Sequence, residues 1–398
     1  MTTSPLTGRQ GKALAACYFC FFAILGLLVP YLGLYLDGLG FHSLEIGQLL
    51  AILFATRIIA PNLWAALADH LGKRVAIIRL GAALAALTFA GLSGSTAFVT
   101  LALVMALFTF FWNAILAQLE AVTLTSLGER SHQYGTLRSF GSVGYIVMVV
   151  GAGWWFERHG ASALPHIGLL VFAALVLTSW FIREPAEAAP AQRHQASLGF
   201  VEALRQPKVI LFLLTALLIQ ASHGPFYTFY VLYLIQLGFG EAWAGALVAL
   251  GVIAEIGIFA LAPRLLARWS LSSLMLVGCA LAALRWLMTD WMGMSLSGQA
   301  LAALLHAFSF GLTHACAIAF VHGAFASADQ GKAQALYASL SFGVGGALGA
   351  YLSGILWQNG DGAHVTWWSA AMAALAAGLI MLLFKFFDAK RETDPTPV

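Results

Sequence analysis

Residues 35–57, YLDGLGFHSLEIGQLLAILFATR, return as residues 233–255, YLIQLGFGEAWAGALVALGVIAE. An offset of 198 places Tyr35-Leu36 on Tyr233-Leu234, Leu39-Gly40-Phe41 on Leu237-Gly238-Phe239, Gly47 on Gly245 and Arg57 on Glu255. Both copies pass through a Leu-Gly-Phe turn into a long apolar stretch, where a single charge appears: positive in the first copy, negative in the second. A further match relates YGTLRSFGSVGYIVMVVGAG, beginning at 134, to QALYASLSFGVGGALGAYLSG, beginning 200 residues later at 334. The chain therefore reads as an internal duplication in which two helical bundles share one plan.

Composition sets the solvent for that duplication. Of 398 residues, 61% are hydrophobic and 9% charged, too few polar groups to clothe a water-soluble fold of this size. Apolar stretches of about 20 residues, each enough for one crossing of a bilayer, recur twelve times: 13–36, 46–68, 76–94, 96–120, 138–156, 164–182, 209–235, 242–262, 272–290, 296–320, 335–357 and 364–387. Their length and the lack of period-2 alternation predict helices rather than barrel strands. The expected fold is an all-α integral membrane protein with twelve transmembrane helices in two pseudo-symmetric six-helix bundles. These occupy 1–182 and 209–398, joined by a polar linker at 183–208 whose LGFVEALRQ (198–206) predicts a short amphipathic surface helix.

The basic residues give the orientation. Seventeen of the twenty Lys and Arg fall in the termini, in loops joining even to odd spans, or at the adjoining helix ends. Arg158 alone lies on the opposite side, and Arg57 and Arg285 lie within spans. Both termini and the linker are thus expected in the cytoplasm. The net charge of +3 is a topology signal and implies no nucleic-acid partner. Cys17, Cys20, Cys279 and Cys316 all sit within spans and read as packing residues.

Charges at mid-depth carry the functional reading. Arg57, Glu255 and Arg285 each lie about twelve to fourteen residues into a span, near the bilayer centre at roughly 1.5 Å per residue, where a charge needs a partner or a wet cavity. Two arginines against Glu255 leave a place for an anionic substrate, and a guanidinium holds a carboxylate through two parallel hydrogen bonds. Glu255 is the candidate proton-coupling acid. In span 7, Gln220, His223, Tyr227 and Tyr230 recur at i, i+3, i+7 and i+10, one polar face of a helix expected to kink at Gly224-Pro225. In span 10, His306 and His314 are candidate proton carriers set about 80° apart around an α-helix. Span 4 adds Trp112, Asn113 and Glu120, the last two seven apart on one face. Tyr227, Tyr230 and Trp112 are the residues expected beside an aromatic ring.

A resemblance to a known family adds to this. WAALADHLGKRV (64–75) is similar to the loop between helices 2 and 3 of the major facilitator superfamily, which implies that Asp69, Lys73 and Arg74 form a cytoplasmic conformational latch. Its counterpart APRLLARWS (262–270) keeps two arginines and lacks the acid and glycine. LEAVTL (119–124) followed by LRSFGSVG (137–144) resembles the lactose permease group and implies substrate contact for Glu120 and Arg138. ALRW (283–286) and LLHAF (304–308) resemble the same group at Arg285 and His306, although Ser309 stands where that group has a proton-coupling glutamate. QASHGPFYTFY (220–230), GVIAEIGIFAL (251–261), ALRW and the pair His306 and His314 resemble the phenylpropionate permease branch, related to the lactose permease group.

The resulting expectation is a monomeric, proton-coupled importer of a small aromatic carboxylate, resident in a bacterial inner membrane and working by alternating access. A sugar or nucleoside symporter, or a drug/proton antiporter, are the alternatives within transport. No phosphate-binding loop, cofactor motif or metal-ligand spacing appears, and no nucleophile and base converge at one depth as an intramembrane enzyme would need. A sensor would call for a soluble domain larger than the short tail after Phe387.

Overall fold

The computed structural model describes residues 8–185 and 198–393. Residues 186–197, the middle of the expected linker, lie outside them. Every regular element among the described residues is helical, in the order α1 (Arg9–Gly38), α2 (Ser43–Leu71), α3 (Arg74–Phe89), α4 (Phe98–Trp112), α5 (Ile115–Leu127), α6 (Tyr134–His159), α7 (Leu164–Ser179), α8 (Leu198–Arg205), α9 (Pro207–Ser222), α10 (Gly224–Thr228), α11 (Tyr230–Gln236), α12 (Glu241–Arg268), α13 (Leu271–Trp291), α14 (Leu296–Leu304), α15 (Thr313–Ala324), α16 (Gln330–Ala338), α17 (Gly346–Trp357) and α18 (Ala363–Thr393). Ten helical stretches among the described residues are long and apolar enough to cross a bilayer. Their apolar side chains face outward in quantity, Leu87, Leu170 and Leu379 among them, as expected of a chain whose solvent is lipid.

The ten stretches depart from the expected spans in two places. Phe98–His159 counts as a single stretch, but a turn at Gly128–Gln133, with Gly128 at φ 53° and Arg130 non-helical, parts α5 from α6 within it, so it holds two of the expected spans, 96–120 and 138–156. Within it the fourth span breaks at Asn113–Ala114 and then continues to Leu127. The seventh span, expected at 209–235, is divided into α9, α10 and α11. Proline and close packing explain that division. Pro225 has no backbone N–H to give to Ala221, so the α-helical ladder is interrupted there, and a Cβ at Gly224 would collide with the backbone of Gly349. The kink is where two helix backbones touch. At 198–205 a short helix, α8, forms where the sequence predicts one.

Two further segments wind wider than an α-helix. Ala307–Leu312 and Ser339–Gly345 are π-helical, and both contain Ser-Phe-Gly. Turns of this kind re-aim side chains within an otherwise regular helix.

The chain divides into two compact units, Met1–Gln192 with Thr228–Ala249, and Arg193–Tyr227 with Leu250–Val398. In the first, α1 packs against α6 and α7, α3 against α4, α5 and α7, and α2 against α4. In the second, α13 and α9 both pack on α18, with α17 and the two π segments beside them. Its core includes Phe212 stacked on Phe320 with ring centroids 3.9 Å apart.

Candidate functional site

The second unit gathers the polar residues of four segments around one guanidinium. Arg285 of α13 is only 2% exposed. Its Nη1 donates to His306 Nδ1 at 2.9 Å and to Ser309 Oγ at 3.1 Å. Because a guanidinium has no acceptor to offer, Nδ1 of His306 must present its lone pair, which places the ring proton on Nε2. That Nε2 lies 3.2 Å from Glu255 Oε2 on α12, so its N–H stands at ion-pair distance from the carboxylate. Arg285 and Glu255 are therefore linked through a neutral imidazole that accepts at one nitrogen and turns its N–H side toward the carboxylate. Gly311 makes the approach of α12 possible, since a Cβ there would press on Glu255 and Ile258.

Aromatic rings wall this relay. The guanidinium carbon of Arg285 lies 4.4 Å from the ring centroids of both Phe226 and Trp286, which spreads its charge over two π faces. The Trp286 indole N–H donates to Ser222 Oγ at 3.2 Å, fixing its edge. His223, fully buried between α9 and α10, meets Trp286 edge-on with centroids 4.9 Å apart. Its Nδ1–H donates to the Ile219 carbonyl at 2.8 Å. The Tyr227 hydroxyl donates to Gln220 Oε1 at 3.3 Å.

The π segment sets His306 and His314 differently from an α-helix. At α-helical spacing the two would stand about 80° apart. In the structure Phe310 stacks at an interplanar angle of 16° on His306 (5.2 Å) and again on His314 (6.1 Å). The wider turn takes up the angle and lines three rings along one side. His314 Nδ1 lies 3.0 Å from the Tyr337 hydroxyl.

The polar stripe of the seventh span does not stay on a single helix. Gln220, His223 and Tyr227 share the second unit, whereas Tyr230 opens α11 and falls in the first. Breaks at His223 and at Phe229 (φ −124°) end the periodicity that the i, i+3, i+7, i+10 spacing assumes.

The first unit holds the remaining candidates. Arg57 is half-buried, its guanidinium carbon 5.5 Å from the Phe54 ring. Arg138 of α6 and Glu120 of α5 form a loose pair, Nε to Oε1 3.8 Å, each side chain about a third exposed. The Arg138 guanidinium lies over Phe22 at 3.9 Å. Asn113 does not share a helical face with Glu120, because the break at 113–114 separates them; its Nδ2 donates to Thr56 Oγ1 at 3.0 Å, itself bonded to Thr109. Trp112 is buried and stacks on Phe21. At the other end of α2, Asp69 pairs with Arg74, whose Nη1 donates to the buried Gln118 at 2.7 Å. The Glu184 carboxylate accepts the backbone N–H groups of Arg74 and Val75 at 3.0 and 2.9 Å and so caps α3. Lys73 precedes that cap and is exposed.

Several participants escaped the sequence reading. Ser309 drew notice only as a departure from a relative's pattern, although it sits three residues beyond His306. Phe310 lies four from each of His306 and His314, a spacing that could have flagged it. Phe226 and Trp286 adjoin named residues but look like any of the chain's 28 Phe and 12 Trp. Glu184 and Tyr337 gave no local signal.

Residues 12–369 match a family model described as the MFS_1 like family. The chain is 27% identical over 379 residues to the probable 3-phenylpropionic acid transporter of Escherichia coli (strain K12), covering 93% of this chain and 96% of that one. It is 25% identical over 354 residues to the maltose permease of Geobacillus stearothermophilus, covering 86% and 87%. In fold it is similar to the crystal structure of the nucleoside transporter NupG, with a TM-score of 0.83 at 18% identity, covering 94% of this chain and 98% of that one.

Proposed function

The chain belongs to the MFS_1-like family and is a membrane transporter of a small molecule rather than an enzyme, and on that premise we propose that it imports a small aromatic carboxylate together with a proton. The observation that carries this is the Arg285–His306–Glu255 relay walled by Phe226 and Trp286. The relay is electrically balanced, one cation and one carboxylate joined by a neutral ring. A substrate carboxylate docking on Arg285 adds a second negative charge close to Glu255, and like charges at that range in a low dielectric favour protonation of one of them. A proton on Glu255 restores the balance, and the rings beside the guanidinium supply the face for an aromatic body. The name borne by the Escherichia coli relative agrees with that chemistry.

Substrate and proton then travel together, alternately exposed by the two halves, with the termini in the cytoplasm of a bacterial cell and the single chain as the working unit. Asp69, Lys73 and Arg74 would serve as a latch at the cytoplasmic end rather than touch substrate. The pairing of one cation with one carboxylate in the relay supports a simple stoichiometry, in which one carboxylate and one proton cross as a neutral pair. Uptake of labelled 3-phenylpropionate into proteoliposomes tests this. It should follow an imposed pH gradient, collapse with a proton ionophore, and stay unchanged when a potassium–valinomycin clamp sets the membrane potential to zero or to −100 mV (about 2.3 kcal/mol per charge moved). Uptake indifferent to the pH gradient would remove the coupling.

One observation favours a second reading. The Glu120–Arg138 pair, a third exposed, suits hydroxyl groups, and the relatives include a maltose permease. A sugar that displaces bound ligand left in place by aromatic acids would select it.

A further inference from the structure

Two histidines of the second unit are held in opposite tautomers, and only one has both nitrogens engaged. His306 accepts at Nδ1 and carries its proton on Nε2, 3.2 Å from the Glu255 carboxylate. His223 is the reverse. Its Nδ1 faces the Ile219 carbonyl at 2.8 Å, and a carbonyl only accepts, so the proton resides on Nδ1 and Nε2 is left as a bare acceptor. His223 is 0% exposed, and among the described residues no donor reaches its Nε2. Nearby donors are aimed elsewhere: the Trp286 indole N–H at Ser222, the Tyr227 hydroxyl at Gln220, and Arg285 Nη1 at His306 and Ser309. Buried polar atoms of native proteins are almost always bonded, and an exception calls for a reason.

The position of this acceptor supplies one. The Trp286 ring has the Arg285 guanidinium carbon 4.4 Å from its centroid and the His223 ring centroid 4.9 Å from it. A cation and an unmet acceptor thus adjoin the same indole ring. We infer that His223 Nε2 accepts a hydrogen bond from a ring hydroxyl of the transported acid, so that the protein selects hydroxylated aromatic carboxylates over their unsubstituted parents. This rests on the aromatic-carboxylate reading above and adds to it a donor on the substrate. A site built around such a bond discriminates strongly against the analogue that lacks it, because the acceptor is then left unpaired.

Calorimetric titration of the purified full-length protein with 3-phenylpropionate and with its 3-hydroxyphenyl and 4-hydroxyphenyl analogues tests the inference. At least one hydroxylated acid should bind about tenfold or more tightly than the parent, each tenfold being about 1.4 kcal/mol. In His223→Phe, which keeps a flat ring and loses the acceptor, the ratio of the dissociation constants should fall to about one. In His223→Gln, whose amide oxygen can accept, the preference should return in part. Thermal unfolding checks that each variant is folded, and the wild-type ratio decides the matter alone if one is not. Equal binding of parent and hydroxylated acids by the wild type, or an undiminished preference in His223→Phe, overturns the inference. The carboxylate reading survives that result provided Arg285→Lys weakens all three acids. Should none of the three bind, the carboxylate reading falls and this inference with it.

Discussion

Arg285 of α13 and Arg138 of α6 carry the same charge in different surroundings. Arg285 is 2% exposed, set against two rings at 4.4 Å each, and bonded at 2.9 and 3.1 Å to neutral acceptors. Arg138 is about a third exposed, and its acid stands 3.8 Å away. The unlike burial matters more than the like charge. A cation shut away from solvent exerts its field almost unscreened, so whatever changes the charge around it moves the free energy of the whole site; a solvated pair at longer range is damped. The relay of the second unit is thus where substrate charge and proton should meet, and the pair of the first unit serves as the control.

The sharpest break is Glu255→Gln. The glutamine Oε1 can still accept from His306 Nε2, so the relay keeps its shape and loses its titratable member. Accumulation of labelled acid against a gradient should disappear, while exchange of internal for external substrate continues. If the variant still accumulates substrate, coupling lies elsewhere, with His306 or Glu120 next in line. Arg285→Lys should come second. A lysine offers a point charge in place of the planar fork and leaves the acceptors at His306 and Ser309 poorly met. The expected loss of affinity is about 3 kcal/mol, on the order of a hundredfold, measured by titration with 3-phenylpropionate. A loss under about fivefold would shift anion recognition away from α13.

How much of this contrast could be read from the sequence depends on the kind of signal. Arg57, Glu255 and Arg285 were conspicuous because a charge inside a run of Leu, Ala and Ile is costly, and cost is visible in one dimension. The bundle of membrane helices was legible for the same reason. The relay was not legible. His306 stands between Arg285 and Glu255 at the start of the π segment Ala307–Leu312, and neither an α-helical wheel nor a charge count anticipates that. The seventh span shows the limit again. Pro225 announced a kink, yet the further break at Phe229 (φ −124°), which parts Tyr230 from Gln220, His223 and Tyr227, carries no Pro or Gly to mark it in the sequence. Burial settles the rest: Glu120 and Arg138 resemble site residues in sequence as closely as Arg285 does, and their exposure is a tertiary fact.

The first unit should respond less, and in rate before affinity. Asp69→Asn removes the acid that pairs with Arg74 at the turn between α2 and α3. Both side chains are partly exposed, so the pair contributes only about 1 kcal/mol or less, and Gln118 and Glu184 still hold Arg74 and the start of α3. Initial uptake should fall by a few-fold, about the factor that 1 kcal/mol implies, with binding of 3-phenylpropionate unchanged. A change in affinity instead would contradict the latch role.

Glu120→Gln should do least, and for that reason it bears hardest on the comparison. The carboxylate of Glu120 sits 3.8 Å from Arg138, whose charge also rests on the Phe22 face at 3.9 Å, so neutralising the acid leaves the guanidinium a π partner and access to solvent. Exposed pairs of this kind are worth about 0–1 kcal/mol, and accumulation of an aromatic acid should stay within about fivefold of the wild type. The outcome that reverses the comparison is total: if Glu120→Gln abolishes accumulation while Glu255→Gln preserves it, the proton is exchanged in the first unit. The buried relay of the second would then be a static tie between α12, α13 and the π segment after α14. Measuring both variants against an aromatic acid and a sugar separates this from a simple change of substrate, because a sugar-specific loss in Glu120→Gln would reassign the exposed pair to hydroxyl recognition and leave the anion chemistry of Arg285 as it stands.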